Sequence, residues 1–488
     1  MKRKMFFATA AATAVTAALI VSGCGGSKKE EASGPSDVVW YMPKTVSNLS
    51  HQAMVEEAAN RLIGEKLDVR LKFKLIDSSM YDQKMNVIVS SGESYDICFT
   101  TSWTNNYFKN VKQNAFLDIS GLLDEYGKDI IEKSDKGLLE KMKMNGKLYA
   151  IPSQNPFATP TANTLKKELV EKYNFDYKNA HTLRDYEPWF EQIKANEPGI
   201  TPILSIEAPT NKRYNDDSIP GLRYDEQEGK FVKYFDIPEV IDDLRTRNDF
   251  YKKGYFAKDA ATQKDYLTEA KSGKYAVMQC SYYTEDGSKS TATYGFECVD
   301  NFVSPGLITT PGVMVAMNAI GINSKHPEKA IQLLNLIWKD PEISNTLAYG
   351  VEGVDYQVDT KNTAEKTVIP NTGDSQKWAM WHNWLGPLWD QWNSSWNSTE
   401  SLKEMQYNNE HSETSSIFGF IFDSTPVKTE YSQVSAAHSE FKDVLANGAM
   451  PDFDEYMAKV NTKFQSSGID KLLEEANRQL EQWKKEQK

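Results

Sequence analysis

DVVWY (37–41) is the stretch that decides the fold, because it reads as a short buried strand that ends at Pro43 and starts a regular alternation. The segments after it alternate between the helical and the strand pattern: helix 48–66, strand 69–76, helix 81–91 and strand 97–100. A β-α-β-α-β order places helices over a parallel sheet. The sequence therefore predicts an α/β fold.

The rest of the chain continues this mixture and is too long for one ordinary core. GKLYAIP (146–152) has the pattern of a hairpin-like strand pair and leads into a proline-rich stretch, 156–160, where the chain would leave one domain for another. The later signals are helices at 163–173, 185–196, 329–339, 452–465 and 469–485, and strands at 201–206, 274–281 and within 313–323. With 488 residues, two domains of about 200 residues each are expected.

The N-terminal segment has the pattern of a secretory signal peptide. A basic start, MKRK (1–4), precedes an alanine-rich apolar run over 5–21 and the small residues before Cys24. VSGC (21–24) also resembles a bacterial lipobox, in which the cysteine receives a diacylglycerol and becomes the new N-terminus. An uncleaved anchor helix is the alternative, although the apolar run is short for a membrane span. Residues 1–23 are therefore predicted to be removed, and 24–36 to form a lipidated, flexible tether.

Composition excludes several kinds of function. The net charge of −12 would become −15 without Lys2, Arg3 and Lys4, which disfavours nucleic acid as a partner. The chain has no metal-binding or nucleotide-binding motif, its six histidines are scattered, and no cofactor is expected. With Cys24 assigned to lipid, three cysteines remain, so a disulfide framework is not expected, although Cys280 and Cys298 could pair across neighbouring strands.

Tryptophan gives the most specific indication of a binding site. Six of the eleven tryptophans lie within nineteen residues: Trp378, Trp381, Trp384, Trp389, Trp392 and Trp396. Amide and acidic residues such as Asp390 lie among them, and Gly386-Pro387 prevents one continuous helix. Flat rings accept the C–H face of a sugar while polar groups bond its hydroxyls. Ordinary core packing is the competing explanation, and it is expected to account for about half of these rings.

Further candidates follow the predicted strands, where ligands bind in open α/β folds. They are aromatic or amide residues near strand ends: Trp40 and Tyr41, Trp103 and Asn106, Gln154 and Asn155, and Tyr282 and Tyr283. Each alone could be a loop or core residue. Their recurrence at several strand ends predicts a shared binding edge.

Several segments, in this order, resemble the extracellular solute-binding proteins of carbohydrate ABC importers (family 1), in particular the long LipO-like lipoproteins of Gram-positive bacteria. They are SGESYDI (91–97) with Trp103, NGKLYAIP (145–152), SGKYAVM (272–278), AIGINSKHPEKA (319–330), KDPE (339–342), YGVEG (349–353), GFIFD (419–423), PVKTE (426–430) and GIDK (468–471). The resemblance covers most of the chain after residue 37.

The resemblance implies a two-lobed periplasmic-binding-protein-like fold with a ligand cleft and extra C-terminal helices. One lobe would hold 37–152 and 313–350, and the other 153–312 and 351–488. Such a protein is a non-catalytic monomer, held by lipid at the outer face of the membrane. It would capture a carbohydrate by hinge closure and deliver it to the permease subunits. The tryptophan density favours an oligosaccharide over a single sugar.

Two alternatives belong to other classes of protein. A secreted glycan-active hydrolase would also use aromatic residues, together with paired carboxylates, but the chain shows no catalytic signature. A peptide-binding or sensor lipoprotein of the same fold would need a placed acid or base for the peptide termini, and none can be located in the sequence.

Overall fold

The structure of the protein is a computed structural model, and it describes residues 34–488 except 136, 145, 159, 209–211, 216–217, 264, 281–283, 362–364, 395–396 and 487–488. The folded unit comprises residues 36–488. Within the part that the structure describes, no helix combines the length and the apolar character needed to cross a bilayer.

The strands are short and spread along the whole unit. In chain order they are β1 (Ser36–Pro43), β2 (Val69–Ile76), β3 (Ile97–Thr100), β4 (Ala150–Pro152), β5 (Thr161–Lys166), β6 (Thr201–Ile203), β7 (Tyr214–Asn215), β8 (Leu222–Asp225), β9 (Lys230–Lys233), β10 (Tyr275–Met278), β11 (Cys298–Ser304), β12 (Leu307–Ile308), β13 (Met317–Ile320), β14 (Tyr356–Val358), β15 (Thr367–Pro370), β16 (Asn393–Ser394) and β17 (Glu413–Thr414).

The helices fill the intervals, and the longest lie near the C-terminus. They are α1 (Gln52–Gly64), α2 (Ser78–Ser91), α3 (Tyr107–Lys112), α4 (Ser120–Tyr126), α5 (Lys128–Lys133), α6 (Leu138–Lys141), α7 (Lys167–Lys172), α8 (Glu187–Asn196), α9 (Pro238–Lys252), α10 (Tyr266–Lys271), α11 (Ser288–Tyr294), α12 (Thr310–Val313), α13 (Pro327–Lys339), α14 (Pro341–Tyr349), α15 (His382–Leu385), α16 (Thr399–His411), α17 (Lys428–Ala446), α18 (Phe453–Ser466) and α19 (Ile469–Glu486).

Two sheets organise the unit. The first has the order β2-β1-β3-β13-β4, and the second has the order β11-β5-β10-β6. Strands β1, β2 and β3 are parallel, as predicted, and β13 runs antiparallel between β3 and β4. Because β13 is reversed, its first residues lie at the same edge as the last residues of β3 and β4. This edge carries the candidate site.

Two predictions about the local structure were wrong. The segment predicted as a helix over 163–173 is strand β5 followed by the short helix α7. Strand β5 lies between β11 and β10, and residues 162–165 are all buried, so pairing on both sides overrides their helical preference. The hairpin predicted around Gly146 is reduced to one bridge between Met144 and Lys147, because β4 pairs with β13 instead.

Separate apolar cores surround the two sheets, and a third lies in the C-terminal module, residues 416–486. The module packs α17, α18 and α19 against β8 and β9. Residues of the tryptophan-rich segment, Trp378 and Trp384, lie in the core of the first sheet. No disulfide joins Cys280 to Cys298.

Candidate functional site

A cavity of about 540 Å³ opens at the edge of the first sheet where β3 and β4 end and β13 begins. Its walls are Ser78, Trp103, Asn155, Pro156, Phe157, Gly312, Val315, Trp381, Asn383 and Trp384. The position agrees with the predicted binding edge, since the carboxyl ends of parallel strands are where open α/β sheets hold ligands.

Trp103 is an exposed ring that is nevertheless held in place. Its side chain is 57% exposed, yet the indole N–H donates to the carbonyl of Val315 at 3.1 Å. Its backbone N–H donates to Oγ1 of Thr101 at 2.9 Å, within the turn that follows β3. A large ring fixed at both ends and open to solvent loses little conformational freedom when a ligand stacks on it.

Trp381 is the second exposed ring, and Trp384 lies behind Trp103 and Trp381. Trp381 is 51% exposed and meets Trp384 edge to face, with ring centroids 4.7 Å apart. Trp384 is buried against Phe99 at 4.7 Å, and its centroid lies 6.4 Å from that of Trp103. The three indoles therefore form a continuous aromatic surface with two open faces.

Two amide side chains lie beside the aromatic surface. Nδ2 of Asn383 donates to Oδ1 of Asn155 at 2.6 Å, and Asn409 donates to the backbone carbonyl of Asn155 at 2.6 Å. An asparagine carries two N–H donors and one oxygen acceptor. Asn383 lines the cavity and is only half-buried, and the contacts among the described residues use one of its donors, which leaves its second donor and its oxygen available to a ligand.

The described walls of this cavity contain no aspartate, glutamate, lysine or arginine. Stacking and amide hydrogen bonds are therefore the interactions that it offers. A buried charge on a ligand would have no partner of opposite sign there, and an unpaired buried charge is costly.

Gln154 explains why part of the tryptophan-rich segment, residues 378–396, lies at this edge. Its side-chain oxygen accepts from the backbone N–H groups of Leu388 and Trp389 at 2.8 and 3.0 Å, and its amide donates to the carbonyl of Lys133. Gln154 is 4% exposed and all of these bonds are internal. It was predicted to contact ligand, but its position is that of a residue that fastens the segment to the first sheet.

Asn345 holds the same segment on both sides of the Gln154 contacts, at His382 and at residues 390–392. It is fully buried, its amide donates to the carbonyl of Asp390 at 3.1 Å, and its oxygen accepts from the backbone N–H of Trp392 at 2.8 Å. Nε2 of His382 lies 3.0 Å from the same oxygen. Burial lowers the pKa of His382 to about 3, so the imidazole is neutral at physiological pH and donates this bond.

Gly386 makes a sharp turn between His382, which Asn345 holds, and Leu388, which Gln154 holds. Its φ is +131°, and a Cβ at this position would lie 2.2 Å from the indole nitrogen of Trp338. Both the backbone conformation and the close approach require glycine. The turn is what lets Trp381 and Trp384 reach the cavity while Trp389 lines a different groove.

Several predicted site residues lie elsewhere. Trp40 is fully buried against Phe73, and Trp378 is 3% exposed with its indole N–H donating to Leu347, so both belong to the core. Asn106 caps α3 by accepting from the backbone N–H of Lys109 at 3.0 Å. These positions do not agree with a role in ligand contact, because their surfaces or polar atoms are used within the protein.

Tyr41 and Asp390 are also engaged away from this cavity. The hydroxyl of Tyr41 donates to Oε1 of Glu93 at 3.0 Å, on the segment before β3. Oδ2 of Asp390 pairs with Lys133 at 2.6 Å. Asp390 lines a second groove of about 900 Å³ between α5, α6 and α16, which Phe157 shares with the first cavity.

Some predictions lie outside the described residues: Tyr282, Tyr283, Trp396 and Cys24. Other wall residues were missed by sequence reasoning, namely Ser78, Phe157, Gly312 and Val315. Gly312 and Val315 precede β13, and only its reversed direction brings the start of that strand to this edge. A β-prone stretch by itself does not show its direction.

Comparison with known proteins places this geometry in a recognised fold. The N-glycan transport solute-binding protein NgtS of Streptococcus pneumoniae superposes with a TM-score of 0.77 at 24% identity, covering 93% of this chain and 100% of that one. The chain has the fold of a solute-binding protein. For NgtS in complex with Man1GlcNAc and with Man5GlcNAc the TM-scores are 0.65 and 0.64.

Sequence comparison supports the same conclusion over the full length. A carbohydrate ABC transporter substrate-binding protein of Streptococcus pneumoniae serotype 4 is 27% identical over 518 aligned positions, covering 100% of this chain and 99% of the relative. Lipoprotein LipO of Bacillus subtilis is 22% identical over half of each chain. Residues 416–485 match a domain of unknown function, DUF3502. The predicted resemblance and the two-lobed solute-binding protein fold are confirmed.

Proposed function

We propose that this protein captures a neutral oligosaccharide and delivers it to the permease of an ABC importer. The observation that carries the proposal is the pair of exposed indoles, Trp103 and Trp381, at a sheet edge whose described walls carry no charge. Aromatic faces with a few placed amides suit the apolar faces and hydroxyls of sugar rings. Within this cavity, a uronic acid or a sialic acid would bring a carboxylate without a partner of opposite charge.

The relatives support the carbohydrate class. A full-length relative is a carbohydrate importer's substrate-binding protein, and NgtS has been captured with two mannose–GlcNAc glycans. Since those ligands contain two or more sugars, and since this chain's cavity adjoins a larger groove across Phe157, an oligosaccharide is the favoured ligand.

We further propose that binding is non-catalytic and works by closure of two lobes. The first lobe would hold 37–152 and 313–350, and the second 153–312 and most of 351–488. Because Trp378 and Trp384 pack in the core of the first sheet, we place 378–385 with the first lobe. The protein would act as a monomer with respect to its ligand.

The test of the proposed function is calorimetry on residues 27–488 with Man1GlcNAc, Man5GlcNAc and an oligouronate of similar length. Binding of a neutral glycan with no heat from the uronate is the expected result. The double variant Trp103→Ala/Trp381→Ala is the matched control and should give no heat. Failure of the folded protein to bind any glycan, or release of shortened products during incubation, would contradict the proposal, and released products would indicate a hydrolase.

Closure predicts a change of shape on binding. A saturating neutral oligosaccharide is expected to decrease the radius of gyration measured by X-ray scattering, because the lobes rotate together around it. At a ligand concentration 100 times Kd it should also raise the free energy of unfolding by about 2.7 kcal/mol. An unchanged radius at saturation, with binding verified by calorimetry, would count against hinge closure.

Anchoring is proposed to rest on Cys24. A diacylglycerol carries two acyl chains, which is enough for stable attachment to a membrane. The variant Cys24→Ala is expected to lose the lipid and either to appear in the soluble fraction or to accumulate unprocessed. Mass spectrometry of the N-terminal peptide and membrane fractionation measure this. Equal fractionation of the two proteins, each with residues 1–23 retained, would contradict the lipobox.

A further inference from the structure

The C-terminal module is joined to the second sheet through buried polar contacts on α9. The guanidinium of Arg247 donates to the carbonyls of Ile206 and Ala446 at 2.7 and 3.0 Å. Nδ2 of Asn248 donates to the carbonyls of Gly448 and Met450 at 2.8 and 2.6 Å. Arg247 and Asn248 are 7% and 1% exposed. Breaking such buried bonds leaves unsatisfied polar groups and is strongly unfavourable.

Apolar packing strengthens this junction on both sides of α9. Phe250 of α9 lies in the core of the second sheet, whereas Leu244 of the same helix lies in the core of the module. The module core also includes Tyr224 of β8 and Phe231 of β9. The module and the second sheet are therefore expected to move as one body.

The module meets the body of the first sheet through one half-buried apolar side chain, Phe418, which packs against the first core, and through exposed polar contacts. Nζ of Lys112, at the end of α3, pairs with Oδ2 of Asp423 at 2.8 Å, with the two side chains 62% and 42% exposed. Nζ of Lys141, in α6, lies 5.6 Å from the ring centroid of Phe418. Exposed ion pairs of this kind are individually weak and can be broken without large cost.

Two hydrogen bonds to Gln479 fix the position of Asp423. Its backbone N–H donates to Oε1 of Gln479, and the amide of Gln479 donates back to the carbonyl of Asp423, both at 2.8 Å. The hydrogen bond from Lys112 is the main reason that the pKa of Asp423 falls to about 2, so the carboxylate is charged at any physiological pH. The backbone of Asp423 is thus bonded to α19, and its carboxylate pairs with Lys112 of α3.

We propose that the C-terminal module moves with the second lobe and holds the first lobe in the present arrangement through the Lys112–Asp423 ion pair. We call this restraint the strut. This inference rests on the proposed function, since closure on a ligand is what the strut opposes. The arrangement seen here superposes better on one NgtS structure than on its two glycan complexes. In this scheme part of the ligand's binding free energy is used to release the pair.

The test measures glycan affinity in Lys112→Ala, Asp423→Asn and the double variant, by calorimetry with Man5GlcNAc. Each single variant should bind about 1.5- to 5-fold more tightly, because removing the restraint raises the population of the binding-competent form. The double variant should gain no more than either single one. The charge swap Lys112→Asp/Asp423→Lys should restore the wild-type Kd.

A matched control is Lys463→Ala, which removes a pair to Glu440 of similar exposure that lies wholly within the module. Its Kd should equal that of the wild type. Unaltered or weaker binding in both Lys112→Ala and Asp423→Asn, with wild-type binding intact, would overturn the strut alone.

If the wild type binds no glycan, the proposed function fails, and the strut is judged without ligand. Spin labels attached to Val87→Cys and Leu267→Cys, at two exposed positions with one near each sheet, report the distance between the lobes. Cys280→Ser is included so that the label attaches at these two positions. Lys112→Glu places like charges together and should shift this distance distribution relative to Lys463→Glu. An unchanged distribution would overturn the strut.

Discussion

Replacing Trp381 by alanine is expected to weaken binding of the oligosaccharide by about 1–3 kcal/mol, a range taken from aromatic stacking on nucleobases. That is about 5- to 150-fold in Kd. The ring is half exposed and touches Trp384 at its edge, so its loss removes a ligand contact and little of the core. Calorimetry gives the affinity, and thermal unfolding should stay close to that of the wild type.

Trp103→Ala should behave in the same way, since its ring forms the other open face. Trp483→Ala is the matched control, because this half-buried indole packs on Phe420 in the C-terminal module, away from the cavity. Its Kd should be that of the wild type. If alanine at 103 and at 381 leaves the Kd unchanged in a folded protein, the aromatic surface is not the ligand site, and the larger groove beside Trp389 becomes the candidate.

Replacing Trp378 by alanine is expected to have the opposite effect, with a loss of about 3–5 kcal/mol in the free energy of unfolding. Its indole is buried beside Phe73, and its N–H donates to the carbonyl of Leu347 at 2.9 Å. Alanine leaves a cavity and an unpaired carbonyl. Urea unfolding measures the loss, while the folded fraction should keep the wild-type Kd.

Trp378→Phe separates the two contributions at this position. It keeps an aromatic ring in the core but removes the N–H donor, so its loss should be smaller than that of alanine. A stability of Trp378→Ala equal to that of the wild type would show that Trp378 is not part of the core. Reduced affinity at full stability would instead return it to the binding surface.

The sequence predicted the first sheet well, because local pattern and tertiary environment agree there. Strands β1, β2 and β3 were expected close to their observed bounds, and α2 ends at Ser91, as predicted, with Gly92 after it in the left-handed conformation. The helix α17 was missed. Its buried positions are few, Val434, Ala437, Phe441 and Leu445, so its apolar stripe is narrow compared with its nineteen residues.

The sequence predicted the chemistry of the site, aromatic rings with amides, but not which residues form it. The tryptophan segment divides into core rings and open rings according to where Gln154 and Asn345 fasten it, and those contacts join positions far apart in sequence. An amide that caps a helix, such as Asn106, and one that faces a cavity, such as Asn383, have the same composition. Only the three-dimensional position separates these roles.

The reversed strand β13 also affects the order in which the chain can fold. It pairs with β3 on one side and β4 on the other, so the first sheet has a gap between β3 and β4 until residues 317–320 have joined it. The bond from Trp389 to Gln154 joins residues 235 apart in sequence. Contacts of such long range slow folding, and the incomplete sheet leaves apolar strand edges open to aggregation. The chain is therefore expected to depend on folding factors until β13 and the segment around Trp389 have both joined the first sheet.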